Sequence, residues 1–263
     1  VVIEEYPLFE YQPYELALST KMVEVVRKYS LEVLHVHYAI PHAYAAYMAK
    51  QMLKEKGLDV RVVTTLHGTD ITLVGSHPTY KSAVEFSINN SDVVTVVSNN
   101  LKETTNKLFN ITKDIKVIYN FIDAKKYDKA HKEECKRIAL AQPHERIFTH
   151  VSNFRPVKRV EDVVKIFSEV RKEIPAKLLM IGEGPERAKA ESLVKELNLV
   201  NDVFFLGNST EVAKILCYTD IFLLPSQTES FGLAALEAMA AESAVISTNT
   251  GGLPEVNIHG KTG

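Results

Sequence analysis

The stretch Ile221-Phe222-Leu223-Leu224-Pro225-Ser226-Gln227-Thr228-Glu229-Ser230-Phe231-Gly232-Leu233-Ala234-Ala235-Leu236-Glu237 decides the fold class. Its opening apolar run has strand length and ends at Pro225 and Ser226, and from Gly232 onward Ala, Leu and Met dominate as in a helix. A buried strand joined by a short loop to a helix is the repeating unit of a parallel α/β sheet. Glu229 then falls on the loop at the carboxyl edge of the strand, and Glu237 falls inside the helix.

Outward from this stretch the same alternation continues. In the N-terminal part, helical spacing at residues 14–29, 43–56, 82–89 and 101–109 alternates with strand-like runs at 31–37, 60–66, 93–97 and 115–119. Residues 121–145 are charged, contain Pro143 and lack a strong apolar run, so they read as a linker with a short helix. The rhythm restarts with strands at 147–151, 177–181, 203–206, 221–224 and 244–247 and helices at 160–173, 186–197, 211–218 and 232–241. The expectation is an α/β protein of two Rossmann-like domains in series, residues 1–142 and 143–263, with a ligand cleft between their carboxyl edges.

The totals fit that picture. The 263 residues suffice for two cores; 46% are hydrophobic and 24% charged, with a formal charge of −2. No basic patch marks a nucleic-acid partner, and no apolar run is long enough for an integral membrane contact. Cys135 and Cys217 are isolated from each other, which argues against a structural zinc site or a disulfide framework and for a reducing, cytoplasmic location. A homo-oligomer is compatible with the sequence. The start at Val1 and the stop at Gly263 read as the ends of a fragment.

Two acceptor-only carboxylates beside a helix N-terminus suit a ligand that carries hydroxyls and phosphates, such as a sugar nucleotide. Residues 152–159 (SNFRPVKR) put Arg155, Lys158 and Arg159 on another loop at the same edge, where cations offset the charge of a departing diphosphate. Gly182, Gly184 and Gly207 end neighbouring strands and permit close approach of a ligand to the backbone. Residues 250–255 (TGGLPE) offer a second set of free amides ahead of Pro254. Neither G-x-G-x-x-G nor a phosphate-binding G-x-x-x-x-G-K-[ST] occurs, so hydride transfer and NTP hydrolysis lose support. In the first half, residues 35–42 (HVHYAIPH) and 67–70 (HGTD) end two strands. Strand alternation turns His35 and His37 to one face, His35 reads as a core residue with one nitrogen satisfied, and His67 reads as reachable because Gly68 and Thr69 open the backbone beside it.

Together, residues 35–43 (HVHYAIPHA), 64–72 (TTLHGTDIT), 117–123 (VIYNFID), 152–159 and 229–237 and the Gly251-Gly252 turn resemble the family 4 glycosyltransferases of the two-Rossmann, GT-B architecture over nearly the whole length. The resemblance implies a retaining, metal-independent transfer from UDP-N-acetylglucosamine to L-malate, with no cofactor. By motif it assigns Glu229 to the hydroxyls of the donor sugar and Glu237 to the ribose. The amides of Phe231, Gly232 and Leu233, with Gly182 and Gly184, line sugar and diphosphate. Lys158, helped by Arg155, takes up the leaving charge; His67 lies near the reacting carbon; Tyr38, Thr69 and Asn120 line the acceptor pocket. Asn153 stands where many relatives carry an Arg, and residues 241–244 (AESA) replace a common Cys-Gly-Xaa-Pro. The resemblance also implies a first strand and Gly-rich loop ahead of Val1 and closing helices after Gly263, so both domains are expected to be incomplete. A non-catalytic sugar-nucleotide-binding module, a related transferase with another acceptor and an epimerase remain as alternatives, and Lys81 and Lys102 are candidate cations for a small dicarboxylate.

Overall fold

A computed structural model describes residues 13–75, 77–127, 137 and 140–263. The chain forms two compact units, residues 1–119 and 120–263.

The first unit holds a four-stranded parallel sheet of order β1-β2-β3-β4, formed by Val33–His37, Arg61–Leu66, Val93–Val96 and Ile115–Val117. The helices α1 (Tyr14–Tyr29), α2 (Tyr44–Lys54), α3 (Pro78–Asn89) and α4 (Asn99–Leu108) connect or cover them. The β-branched content of the strands and the small residues of α2 suit this packing. Ala45, Ala46 and Ala49 are fully buried, which lets the α2 backbone lie close on β1 and β2. Helix α3 starts at Pro78 rather than at 82, because the His77 ring accepts the Thr79 N–H and Pro78 is preset for a first turn.

The second unit holds a five-stranded parallel sheet of order β7-β6-β5-β8-β9: Val203–Gly207, Ala176–Ile181, Arg146–Val151, Ile221–Leu224 and Ala244–Ser247. One face packs on α5 (Val160–Glu173) and α6 (Arg187–Glu196), with Phe148, Phe154 and Phe167 at the centre. Another cluster gathers Leu216 of α7 (Val212–Leu216), Phe222, Leu224 and Val245 with Ala235 and Ala238 of α8 (Leu233–Ala240) and Leu253 of the short α9 (Leu253–Val256). The turn at 241–244 closes α8 with Glu242 in the left-handed region at φ 56°, and Ser243 N–H bonds back to Ala238 C=O at 3.0 Å.

The strand order of this sheet decides where a ligand goes. From β5 the chain builds outward through β6 and β7, then returns to place β8 on the other side of β5. In open α/β sheets the crevice at such a reversal, beyond the carboxyl ends of the strands, is the binding site. The loops that leave β5 and β8 border it. Among the described strands of the first unit the order is sequential, with no reversal. Residues 128–136, which include Cys135 and most of the expected linker helix, lie outside the described residues. Within the expected linker, Ala124–Tyr127 forms a 3-10 turn. Among the described residues no helix is long and apolar enough to cross a membrane.

Candidate functional site

In the second unit the loop after β5 is fixed from below by a buried histidine. His150 is fully buried; its Nδ1 lies 2.8 Å from the Leu223 carbonyl on β8, and its Nε2 lies 2.8 Å from Ser152 Oγ. A carbonyl only accepts, so Nδ1–H donates, Nε2 accepts the serine hydroxyl, and Ser152 Oγ in turn accepts the Phe154 N–H at 3.3 Å. Burial pushes the His150 imidazole down to about 4, with Lys158 as a further lowering charge, so the ring is neutral around pH 7. Phe154 is buried at φ 38°, a costly conformation for a side chain of this size that its packing and this bond maintain. A Cβ on Gly182 would collide with the Ser152 carbonyl, and one on Gly184 with that of Asn153. The group that needs glycine at these two positions is the chain's own loop.

Beyond Phe154 a 3-10 turn, Pro156–Lys158, presents the cations, and the structure treats them differently. Lys158 Nζ binds Glu229 Oε1, with the side chains only 20% and 13% exposed. Arg159, the residue that precedes α5, closes on Asp162 at 2.5 Å. Arg155 and Asn153 are exposed.

The loop after β8 meets this turn directly. Gln227 N–H donates to Val157 C=O at 2.8 Å, and Ser226 Oγ donates to Glu229 Oε1 at 3.1 Å. Glu229 C=O accepts the Gly252 N–H at 2.8 Å, and Gly251, at φ 57°, passes so close that a Cβ there would strike the same carbonyl. The Gly251-Gly252 turn is therefore a brace for Glu229, which corrects the expectation of free amides: Gly252 N–H is taken by Glu229, and Leu253 N–H by Thr250 C=O. Sequence reading assigned Lys158 and Glu229 to different parts of a ligand; the structure joins them, at the sheet's reversal point.

Helix α8 begins after Gly232, which adopts φ 96°, with Phe231 buried before it and Leu233 exposed after it. Glu237 lies on α8, half-buried, and burial raises its carboxyl above the ordinary range while a hydrogen bond from Tyr127 partly offsets this. Tyr127 is correspondingly pushed up to about 12 by burial and by the Glu237 charge.

In the first unit, imidazoles gather at the carboxyl ends of β1 and β2. His37 Nδ1 lies 2.7 Å from His67 Nε2, His35 Nε2 lies 2.8 Å from Thr65 Oγ1, and Thr65 Oγ1 lies 2.7 Å from Thr95 Oγ1 on β3. His42 Nδ1–H donates to His37 C=O at 2.7 Å, and the Tyr38 and His67 rings are 5.0 Å apart. Burial and then the neighbouring histidines hold His37 and His67 below the ordinary histidine range; Asp70 acts the other way on His67. His35 and His37 do share a face, their rings 4.9 Å apart, but His35 is not a core residue: β1 is the edge of the described sheet and its odd positions are exposed.

The two loops here are tied by Asp70, which sequence reading quoted without a role. Its buried carboxylate accepts the Ala39 N–H at 2.9 Å, Gly68 N–H at 2.9 Å and His67 N–H at 3.2 Å. Burial raises its pKa, and these backbone bonds work against the rise. An Asp two residues after a Gly at a strand end is a recognisable loop-capping signal, whereas nothing local marks the Ala39 contact. Thr69 and Tyr38 are exposed beside this knot. Asn120 belongs to the second unit, so the structure does not group it with them. Lys102 lies 3.6 Å from Asp114 as an exposed ion pair, and Lys81 is exposed on α3. Among the described residues no group of three or more His, Cys, Asp or Glu side chains is arranged to hold a metal.

Comparison with known proteins extends these observations. The family described as glycosyl transferases group 1 matches residues 131–263, and Glycosyltransferase Family 4 matches residues 1–126. N-acetyl-alpha-D-glucosaminyl L-malate synthase of Bacillus anthracis is 48% identical over 263 residues, 100% of this chain and 68% of that protein. An uncharacterized glycosyltransferase of Methanocaldococcus jannaschii is 31% identical over 240 residues, 87% of this chain and 60% of the relative. The chain thus spans about two thirds of the length of these relatives. Among solved structures, Anabaena Alr3699/HepE in complex with UDP and glucose superposes with a TM-score of 0.76 at 19% identity, covering 91% of this chain and 64% of that one. A glycosyltransferase from Rickettsia africae gives a TM-score of 0.72 at 22% identity, covering 97% and 68%. At these identities the two structures establish the fold, which is GT-B.

Proposed function

We infer the activity of this chain from the family to which it belongs, the group 1 glycosyl transferases. The chain moves N-acetylglucosamine from UDP-N-acetylglucosamine to the hydroxyl of L-malate, the first step of bacillithiol biosynthesis, with retention at the anomeric carbon and without a metal. The observation that carries this reading is the 48% identity to an N-acetyl-alpha-D-glucosaminyl L-malate synthase, which runs through both units.

The geometry supports the donor half of the reaction. Lys158 is the cation best placed to take up charge on the diphosphate as the bond to the sugar loosens, because it is the one held at the β5–β8 reversal. Its present partner Glu229 has further lone pairs for the hydroxyls of the sugar, so donor binding exchanges one ion pair for two sets of ligand contacts. Arg155, exposed on the same loop, assists at the phosphates in place of the Arg absent at Asn153. The start of α8 at Phe231, Gly232 and Leu233 contributes backbone amides, Gly182 and Gly184 keep the phosphate loop in shape, and Glu237 receives the ribose hydroxyls. On the acceptor side, His67, oriented by His37, serves the malate acceptor together with Tyr38 and Thr69 beside it.

Mass spectrometry of the protein incubated with UDP-N-acetylglucosamine and a panel of hydroxy acids, with inositol phosphate as competitor, tests this. Transfer to L-malate that persists in a chelator and gives an α-linked product is expected. UDP binding with no product from any acceptor would replace the reading with that of a non-catalytic nucleotide-sugar module.

A further inference from the structure

We propose that Tyr127, on the segment that leads into the second unit, is a positioning residue for nucleotide recognition: it aligns the Glu237 carboxylate for the ribose. The proposal rests on the reading of Glu237 as the ribose acceptor. It starts from local sequence. Asp123 Oδ1 accepts the Lys125 N–H at 3.2 Å and its carbonyl accepts the Lys126 N–H at 3.1 Å, which curls residues 124–127 into a 3-10 turn. Of the four turn residues only Tyr127 is partly buried: Ala124, Lys125 and Lys126 are exposed, whereas the Tyr127 ring packs against the cluster of Leu216, Phe222, Leu224 and Ala238 under α8. From there its hydroxyl donates to Glu237.

A carboxylate on a helix has several rotamers, and ribose offers two adjacent hydroxyls that a single orientation serves best. Glu237 is half-buried, and the residues one helical turn away, Leu233, Ala234, Ala240 and Ala241, carry no polar side chain to hold it. A phenol anchored by its own packing supplies the missing constraint. It uses one lone pair of the carboxylate and leaves the others for the ligand. It also works against the upward push that burial exerts on this carboxyl.

The test separates positioning from packing by changing ligand and protein together. Calorimetry measures binding of UDP and of 2′,3′-dideoxyuridine diphosphate to the unmodified protein and to Tyr127→Phe, which keeps the ring. Expected is a loss of roughly three- to tenfold in UDP affinity in Tyr127→Phe, with affinity for the dideoxy analogue unchanged. Equal weakening of both ligands would make Tyr127 a packing residue and overturn the proposal, as would full retention of UDP affinity. If the unmodified protein binds both nucleotides equally, the fault lies with the ribose role of Glu237 itself.

Discussion

At the carboxyl edge of the second unit the candidate side chains are a charged pair, Lys158 and Glu229, whereas at the edge of the first they are imidazoles whose pKa burial lowers, His37 and His67. Both sets stand on loops that other backbone groups have immobilised: Gly252 and Val157 brace the loop after β8, and Asp70 ties the loops after β1 and β2. The contrast shows what each edge is prepared to meet. An ammonium and a carboxylate already out of bulk water lose little more hydration when phosphates and hydroxyls arrive. Imidazoles below their ordinary range keep a lone pair and a proton available around neutrality and add no net charge beside the other reactant.

The sharpest way to break this contrast is Lys158→Ala. If charge uptake belongs to the second unit, steady-state turnover falls by roughly 10²–10³-fold; unchanged turnover would take Lys158 out of the reaction. Next in size is acid stability. The unfolded His150 takes up a proton near pH 6.5 and the folded one only near 4, so stability falls as pH drops through that window. The loss totals about 3 kcal/mol. Melting curves from pH 7 to 4 should show it, and His150→Asn should lose this part of the dependence although it is less stable at neutral pH.

A smaller effect tests the first unit. The charge of His37 lowers the pKa of His67, so in His37→Gln that influence disappears and the acid limb of the kcat/KM profile moves to higher pH. A limb that stays in place would separate the two rings functionally. Smallest is Arg159→Ala: it forms a partly exposed i,i+3 pair with Asp162, and both turnover and stability should stay within about 0.5 kcal/mol of the unmodified protein.

Much of the fold was legible because its signals are local. Continuous apolar runs such as 221–224 and the helical spacing of 160–173 gave elements with matching bounds. Candidate residues at strand ends followed from the same reading, since a loop after a parallel strand is where ligands bind. What escaped depends on pairs far apart in the chain. Lys158 and Glu229 are 71 positions apart, His150 reaches Leu223 across two strands, and Ala39 finds Asp70 31 positions on. The edge position of β1 likewise follows from strand order, not composition, and so His35 was taken for a core residue. Tyr127 was hidden differently: one aromatic in a charged segment carries no signal until its burial against α8 is seen.

The 71-residue span between Lys158 and Glu229 bears on how the protein is made. A ribosome that has released the lysine loop must still emit β6, β7 and β8 before the carboxylate that neutralises it emerges. Contacts of such long separation form late, after the intervening strands have docked. During synthesis a half-finished second unit therefore displays Lys158 without the carboxylate that pairs with it in the folded protein.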